Sequence, residues 1–124
     1  MRAADILWAK SGTTTLEAAL FGKPMLIYYR GNWFTFFLFL MFKRVRKVGW
    51  PNILAGKGVV PELLQLDCRP ELFVKYTSDW LDVPAAREEI SMELRQVRSR
   101  LGQGDFSDNA AVEVVNVLGP RLIA

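Results

Sequence analysis

The spacing of hydrophobic positions changes several times along this chain, and each change marks an element. Ile6-Leu7-Trp8 is a short apolar run and Met25-Leu26-Ile27-Tyr28-Tyr29 is another. Between them come a small polar turn, Lys10-Ser11-Gly12-Thr13, then Leu16, Ala19 and Leu20 at spacings of three and four, then Gly22-Lys23-Pro24. Strand, polar turn, helix, Gly/Pro break and strand, in that order, is the crossover unit of a parallel sheet. The pattern predicts a strand within residues 3–9 and a helix from near Thr13 to Phe21. Leu16, Ala19 and Leu20 should face inward, with Gly22 as the stop. Met25–Tyr29 is nearly all apolar, as a strand covered on both faces should be. Arg30-Gly31 then places a cation just past the strand's carboxyl end, the edge where open α/β sheets hold ligands.

Asn32 suits the cap of a second helix, from Trp33 to about Lys47. Its first part, Trp33 to Phe42, is apolar almost all the way round, and Lys43, Arg44, Arg46 and Lys47 follow. That run is about half the roughly twenty residues needed to cross a bilayer, so it should not span. Two uses fit it: burial against a partner domain or subunit, or an interfacial helix whose basic end meets anionic lipid. Residues 48–65 carry two prolines and three glycines between short apolar pieces, which predicts that most of the stretch is a shaped loop or set of loops. Asn52, Glu62 and Gln65 are polar residues there that are neither obvious caps nor simple solubilisers.

The remainder reads as helical. Pro70 suits the first position of a helix to about Leu81, with Phe73, Tyr76 and Trp80 on one side. Asp82 is expected to cap the next, which carries Ala86, Ile90, Leu94, Val97 and Leu101 as a stripe. Glu88 and Glu89 near its start and Arg98 and Arg100 at its end complement the helix dipole. A last helix, from Asp105 or Ser107 to Leu118, should turn Ala111, Val114, Val115 and Leu118 inward before Gly119-Pro120.

Composition changes this picture in three ways. The 124 residues are 51% hydrophobic and 23% charged, enough for a packed core. Yet a strand at 3–9 starts in mid-domain, and two parallel strands are too few to support the helices that follow. The chain is therefore read as the C-terminal portion of a larger α/β protein. Met1-Arg2-Ala3-Ala4-Asp5 contains no extended apolar region of a signal peptide. With no histidine and only Cys68, zinc sites, histidine-based triads and an intrachain disulfide framework are all disfavoured. The net charge of +3 is mild, and the basic residues form two short groups. No nucleic-acid partner is expected, because the aromatic run is continuous rather than interleaved with Lys and Arg.

The candidate chemistry lies in the first turn. Backbone amides of Ser11, Gly12 and Thr13 at a helix N-terminus form a place for a phosphate. Glu17, one turn further in, could accept hydrogen bonds from the ribose hydroxyls of a bound nucleotide. The signal is weak alone, being neither GxGxxG nor GxxxxGK, and a capped helix with a solvated Glu17 fits the same residues.

Three blocks in register strengthen it: Ser-Gly-Thr-Thr-Thr-Leu-Glu-Ala-Ala-Leu-Phe-Gly-Lys-Pro-Met at 11–25, Tyr29-Arg30, and Pro-Asn-Ile-Leu-Ala-Gly at 51–56 followed by Val-Val-Pro-Glu-Leu-Leu-Gln at 59–65. Together they resemble the C-terminal half of the lipid-A-disaccharide synthase family, glycosyltransferase family 19, over nearly all of the chain. The resemblance implies an α/β fold that is the C-terminal part of a Rossmann-like GT-B domain, with short parallel strands followed by several helices. Residues 1–66 would form its donor-nucleotide part and 67–124 its helical segment.

The family's reaction joins UDP-2,3-diacylglucosamine to 2,3-diacylglucosamine 1-phosphate, inverting the donor's anomeric carbon and releasing UDP, with no metal and no cofactor. Carried over, Ser11, Gly12 and Thr13 would face the diphosphate and Glu17 the ribose. Asn52 would lie in the donor cleft, and Arg30, Glu62 and Gln65 would line or support it. Trp33, Phe36, Phe37, Phe39, Leu40, Lys43 and Arg44 would meet membrane or acyl chains. Gly49-Trp50 departs from the serine and leucine usual before Pro51-Asn52, which bears on the loop around Asn52.

The resemblance implies as partners both lipid substrates, the missing N-terminal domain, a membrane surface and a second copy through dimer contacts. It implies a peripheral location on the cytoplasmic face of the bacterial inner membrane, or an organelle in a plant. The acceptor's general base is expected on the other domain, so no catalytic residue is assigned here, and the isolated chain is expected to be incomplete and inactive. Two further readings stay open: a truncated non-catalytic remnant, and a small membrane-associated binding module resting on residues 33–47 alone.

Overall fold

The computed structural model describes residues 1, 3–33, 36–37, 47–101 and 106–118. Three parallel strands, β1 (Leu7–Lys10), β2 (Met25–Tyr29) and β3 (Glu62–Leu64), lie side by side in the order β1-β2-β3. Leu7 is level with Met25 and Lys10 with Tyr28, while Ile27 is level with Glu62 and Tyr29 with Leu64. The chain therefore leaves all three strands at one edge. Helix α1 (Thr13–Leu20) joins β1 to β2, and α2 (Trp50–Ala55) precedes β3. A short 3-10 turn (Gln65–Asp67) leads to α3 (Pro70–Asp82), α4 (Pro84–Arg100) and α5 (Phe106–Leu118). This is the parallel α/β arrangement expected, a partial Rossmann-like domain.

Alternation along β2 divides the core between the two faces of the sheet. Met25 and Ile27 pack with Ala9, Ala18, Ala19, Val60 and Leu94. Leu26 packs on the opposite face with Leu63 and Trp80, joined by Phe73 and Tyr76 of α3. Helix α4 closes the first face with Leu94, and its Ile90 reaches both clusters. Full burial of a residue such as Leu94 contributes about 1.5–3 kcal/mol. At the outer edge, Trp8 packs edge-to-face on Phe73 with ring centroids 5.0 Å apart, and its Nε1 donates to Thr77 Oγ1 at 3.0 Å.

Several local expectations need correction. The buried face of α1 is Thr15, Ala18 and Ala19, whereas Leu20 points outward. Small residues let the helix lie close against the sheet and α4, and the Thr15 hydroxyl is satisfied by the Gly12 carbonyl at 2.7 Å. Residues 48–65 are not all loop. Pro51 opens α2, Gly56 ends it in the left-handed conformation at φ 71°, and Glu62–Leu64 form the third strand. Asp82 is the last residue of α3 and caps nothing; Val83 alone separates it from α4.

In α5, Ala111, Val114 and Val115 are exposed rather than inward, as are Val112 and Val117. The helix stop at Gly22 is as expected: its φ is 61°, and its N–H donates to the Ala19 carbonyl. Of the expected helix at 33–47, Trp33, Phe36 and Phe37 are helical, and the Phe36 amide donates to the Asn32 carbonyl at 3.0 Å. Lys47 lies beyond any helix, and residues 34–35 and 38–46 lie outside the described residues.

Candidate functional site

The carboxyl edge of the sheet gathers the ends of β1, β2 and β3, and with them most of the candidate residues. At the end of β1 the Ser11 amide donates to the Tyr28 carbonyl at 2.9 Å, prolonging the sheet pairing by one residue. Its hydroxyl donates to the Val48 carbonyl at 3.0 Å. Ser11 therefore positions the turn, and its amide, expected to face a diphosphate, is engaged within the fold.

Gly12 follows with φ 153° and ψ −164°, a backbone conformation essentially reserved for glycine. A Cβ built there would meet nothing within 4 Å, so the space where a Gly12 side chain would stand is open. The amides of Gly12, Thr13 and Thr14 find no acceptor among the described residues and lie exposed at the start of α1. Glu17 is exposed on the same helix face as Thr13, four residues on, where side chains are neighbours. Turn, open approach and adjacent carboxylate thus occur together.

Asn52, Glu62 and Gln65 have another use. Asn52 is 2% exposed, and every hydrogen-bonding position of its amide is taken inside the protein. Its Nδ2 donates to the Val60 carbonyl at 2.8 Å and to Glu62 Oε1 at 2.7 Å. Its Oδ1 accepts from the Val59 and Val60 amides at 2.7 and 3.0 Å. Glu62 also accepts the Val48 and Gly49 amides, each at 2.9 Å, so its carboxylate occupies the start of α2. A Cβ on Gly49 would overlap Ile27 Cδ1 and stand 3.1 Å from Glu62 Oε1, so a side chain there would need the Ile27 terminus to shift. Asn52 is accordingly a structural tie whose amide is fully engaged inside the protein.

Gln65 clamps the end of β2. Its Oε1 accepts the Gly31 amide at 2.7 Å and its Nε2 donates to the Gly31 carbonyl at 3.0 Å. This pair holds Gln65 at φ 48°, a conformation that costs a non-glycine residue on the order of 1 kcal/mol or more. Arg30 is exposed beside the clamp and has no partner among the described residues. With Gly31, Trp33, Gln65 and Leu66 it borders a cleft of about 40 Å³.

Trp33 and Phe37 are 61% and 60% exposed, and Phe36 is half-buried, its ring 6.2 Å from that of Trp33. Phe39, Leu40, Lys43 and Arg44 lie outside the described residues. Among the described residues no cluster of three or more Cys, Asp or Glu is placed to hold a metal ion, and no helix is long and apolar enough to cross a membrane. Sequence spacing could not reveal the role of Asn52, because its partners depend on how residues 59–62 fold back.

These placements separate structural from outward-facing residues. Asn52→Ala leaves three backbone groups, two of them buried, and Glu62 short of partners, so urea unfolding should show a loss on the order of 3 kcal/mol. Arg30→Ala and Glu17→Ala should each change stability by no more than about 0.5 kcal/mol. Equal losses in all three variants would contradict the division.

Comparison with known proteins gives the family. The profile of the lipid-A-disaccharide synthetase family matches residues 1–112. A lipid-A-disaccharide synthase of Anaeromyxobacter dehalogenans is 40% identical over 116 residues, covering 94% of this chain and 30% of the relative. That of Geobacter sulfurreducens is 37% identical over 122 residues, covering 98% and 32%. That of Burkholderia vietnamiensis is 42% identical over 121 residues, covering 98% and 31%. The chain thus spans about a third of the length of the curated relatives it matches. It belongs to the lipid-A-disaccharide synthase family.

Proposed function

We propose that this chain is the donor-nucleotide part of a glycosyltransferase that moves a diacylglucosamine from UDP to a diacylglucosamine 1-phosphate acceptor. The observation that carries this reading is the Gly12 turn: a glycine-only backbone conformation, open space before it, and amides without internal acceptors at a helix N-terminus. In this reading the Gly12 and Thr13 amides receive the diphosphate, held in place by Ser11. Glu17 accepts hydrogen bonds from the ribose. Arg30, at the neighbouring strand end, adds a positive charge. Fixed amide dipoles and a cation stabilise the charge that gathers on departing UDP. Glu62 and Gln65 support the cleft from behind.

The general base for the acceptor hydroxyl is assigned to the part of the relatives' length that this chain does not cover. Transfer requires that part, so residues 1–66 bind the donor and residues 67–124 complete the domain around it. The isolated chain binds without turning over.

The exposed Trp33 and Phe37 support contact with acyl chains or a membrane surface, which would make the protein peripheral on the cytoplasmic face of the inner membrane. Aromatic rings of this kind settle at the headgroup boundary.

Calorimetric titration of UDP into the chain and its Glu17→Ala variant tests the nucleotide reading. Loss of the ribose contact should weaken UDP about tenfold and leave pyrophosphate unaffected. Equal UDP affinity in both proteins removes Glu17 from the site. For the surface contact, Trp33→Ser combined with Phe37→Ser should reduce co-sedimentation with anionic vesicles by roughly tenfold, given the apolar area withdrawn. Unchanged sedimentation of a folded double variant rejects it.

A further inference from the structure

A cavity lies at the opposite edge of the sheet from the Gly12 turn, where the chain enters β1 and β2. It measures about 600 Å³, within the usual range for a small-molecule pocket, and Asp5, the Gly22-Lys23-Pro24 turn and one face of α4 line it. Arg87, Ser91 and Arg95 stand on α4 at successive spacings of four, so they form one stripe facing that turn.

Ser91 is 8% exposed, yet its hydroxyl has no hydrogen-bond partner among the described residues. No fully enclosed side-chain oxygen or nitrogen of the described protein lacks a partner, so the Ser91 hydroxyl opens onto the cavity. The hydroxyl is therefore free to donate to whatever occupies the cavity, whether water or a ligand.

The charges around it point to the kind of visitor. Lys23 and Arg87 are half-buried and neither has an acidic partner among the described residues. Arg95 makes an exposed ion pair with Glu88, 3.3 Å from Nη1 to Oε1, which contributes little and can be exchanged. The lining residues include three cationic ones, Lys23, Arg87 and Arg95, against two acidic ones, Asp5 and Glu88, so its net charge is positive. A hydroxyl donor sharing a lining with guanidinium and ammonium side chains matches a tetrahedral dianion, which accepts several charge-assisted hydrogen bonds at once.

We infer that this cavity is a second binding site, distinct from the proposed nucleotide turn, that takes a phosphate monoester through Ser91, Arg87 and Lys23, with Arg95 released from Glu88 to join them. The monoester is either a soluble phosphate or the headgroup of a phospholipid, since both present the same dianion.

Amide-resolved NMR titration of the full chain with inorganic phosphate, at constant ionic strength set by chloride, tests this. Saturable shifts are expected at Gly22, Lys23 and Ser91, with Gly12 and Thr13 unmoved. Ser91→Ala and Lys23→Gln should each weaken the response about tenfold, while Lys75→Gln, on exposed α3, should leave it unchanged. Sedimentation with phosphatidylcholine vesicles, with and without phosphatidic acid, identifies the source. Phosphatidic-acid-dependent retention that Ser91→Ala abolishes assigns the lipid headgroup. Saturable binding of free phosphate without such retention assigns the soluble form. Shifts that rise linearly, match those caused by chloride, or keep the same strength in all three variants overturn the site.

Discussion

The Glu62 carboxylate holds the first turn and the sheet in their relative positions. It stands at the start of β3 and accepts three hydrogen bonds, from Val48, Gly49 and Asn52, all between 2.7 and 2.9 Å. A carboxylate placed among apolar strands would be costly without partners, and those donors offset the cost. In return they fix the segment before α2. Val48 then accepts the Ser11 hydroxyl, so the position of the β1–α1 turn depends on a chain of contacts that begins at β3. Gly49 fits that chain without displacing anything, whereas a side chain there would require the Ile27 terminal methyl to shift.

The outcome is a division of labour among polar residues at one edge of the sheet. Ser11, Asn52, Glu62 and Gln65 spend their hydrogen bonds inside the protein and set backbone positions. Gly12, Thr13, Glu17 and Arg30 face outward and remain available to a ligand. Parallel pairing makes this possible, since it brings three strand ends together on residues far apart in sequence. It also leaves the entry edge of the sheet to a differently charged cavity, built from the α1–β2 turn and α4. The two edges share the core but none of the polar groups that either would present to a ligand.

Much of the fold was legible in the sequence because local rules and tertiary packing agree there. Gly22-Lys23-Pro24 stops α1, an unbroken apolar run makes β2, and Phe73, Tyr76 and Trp80 mark the inner face of α3. Legibility failed where partners are distant. Glu62–Leu64 is too short to announce a strand, and becomes one only by pairing with β2. Leu20 fits an inward stripe by spacing, but close approach of α1 favours Thr15 and Ala18 instead. The valines of α5 carry helical periodicity without being covered by any described element. Ser11 and Asn52 were recognisable as polar residues with a purpose. Whether that purpose faced a ligand or the backbone could be read only from the hydrogen bonds.

The central claim is that a nucleotide's diphosphate rests on the Gly12 and Thr13 amides. Proton–nitrogen NMR of the full chain during titration with UDP addresses it most directly, because amides that donate to phosphate move strongly downfield. The account predicts saturable downfield shifts at Gly12 and Thr13, with the Ser11 amide, already bound to Tyr28, moving little. Saturable UDP binding that leaves Gly12 and Thr13 in place while perturbing another part of the chain would contradict it.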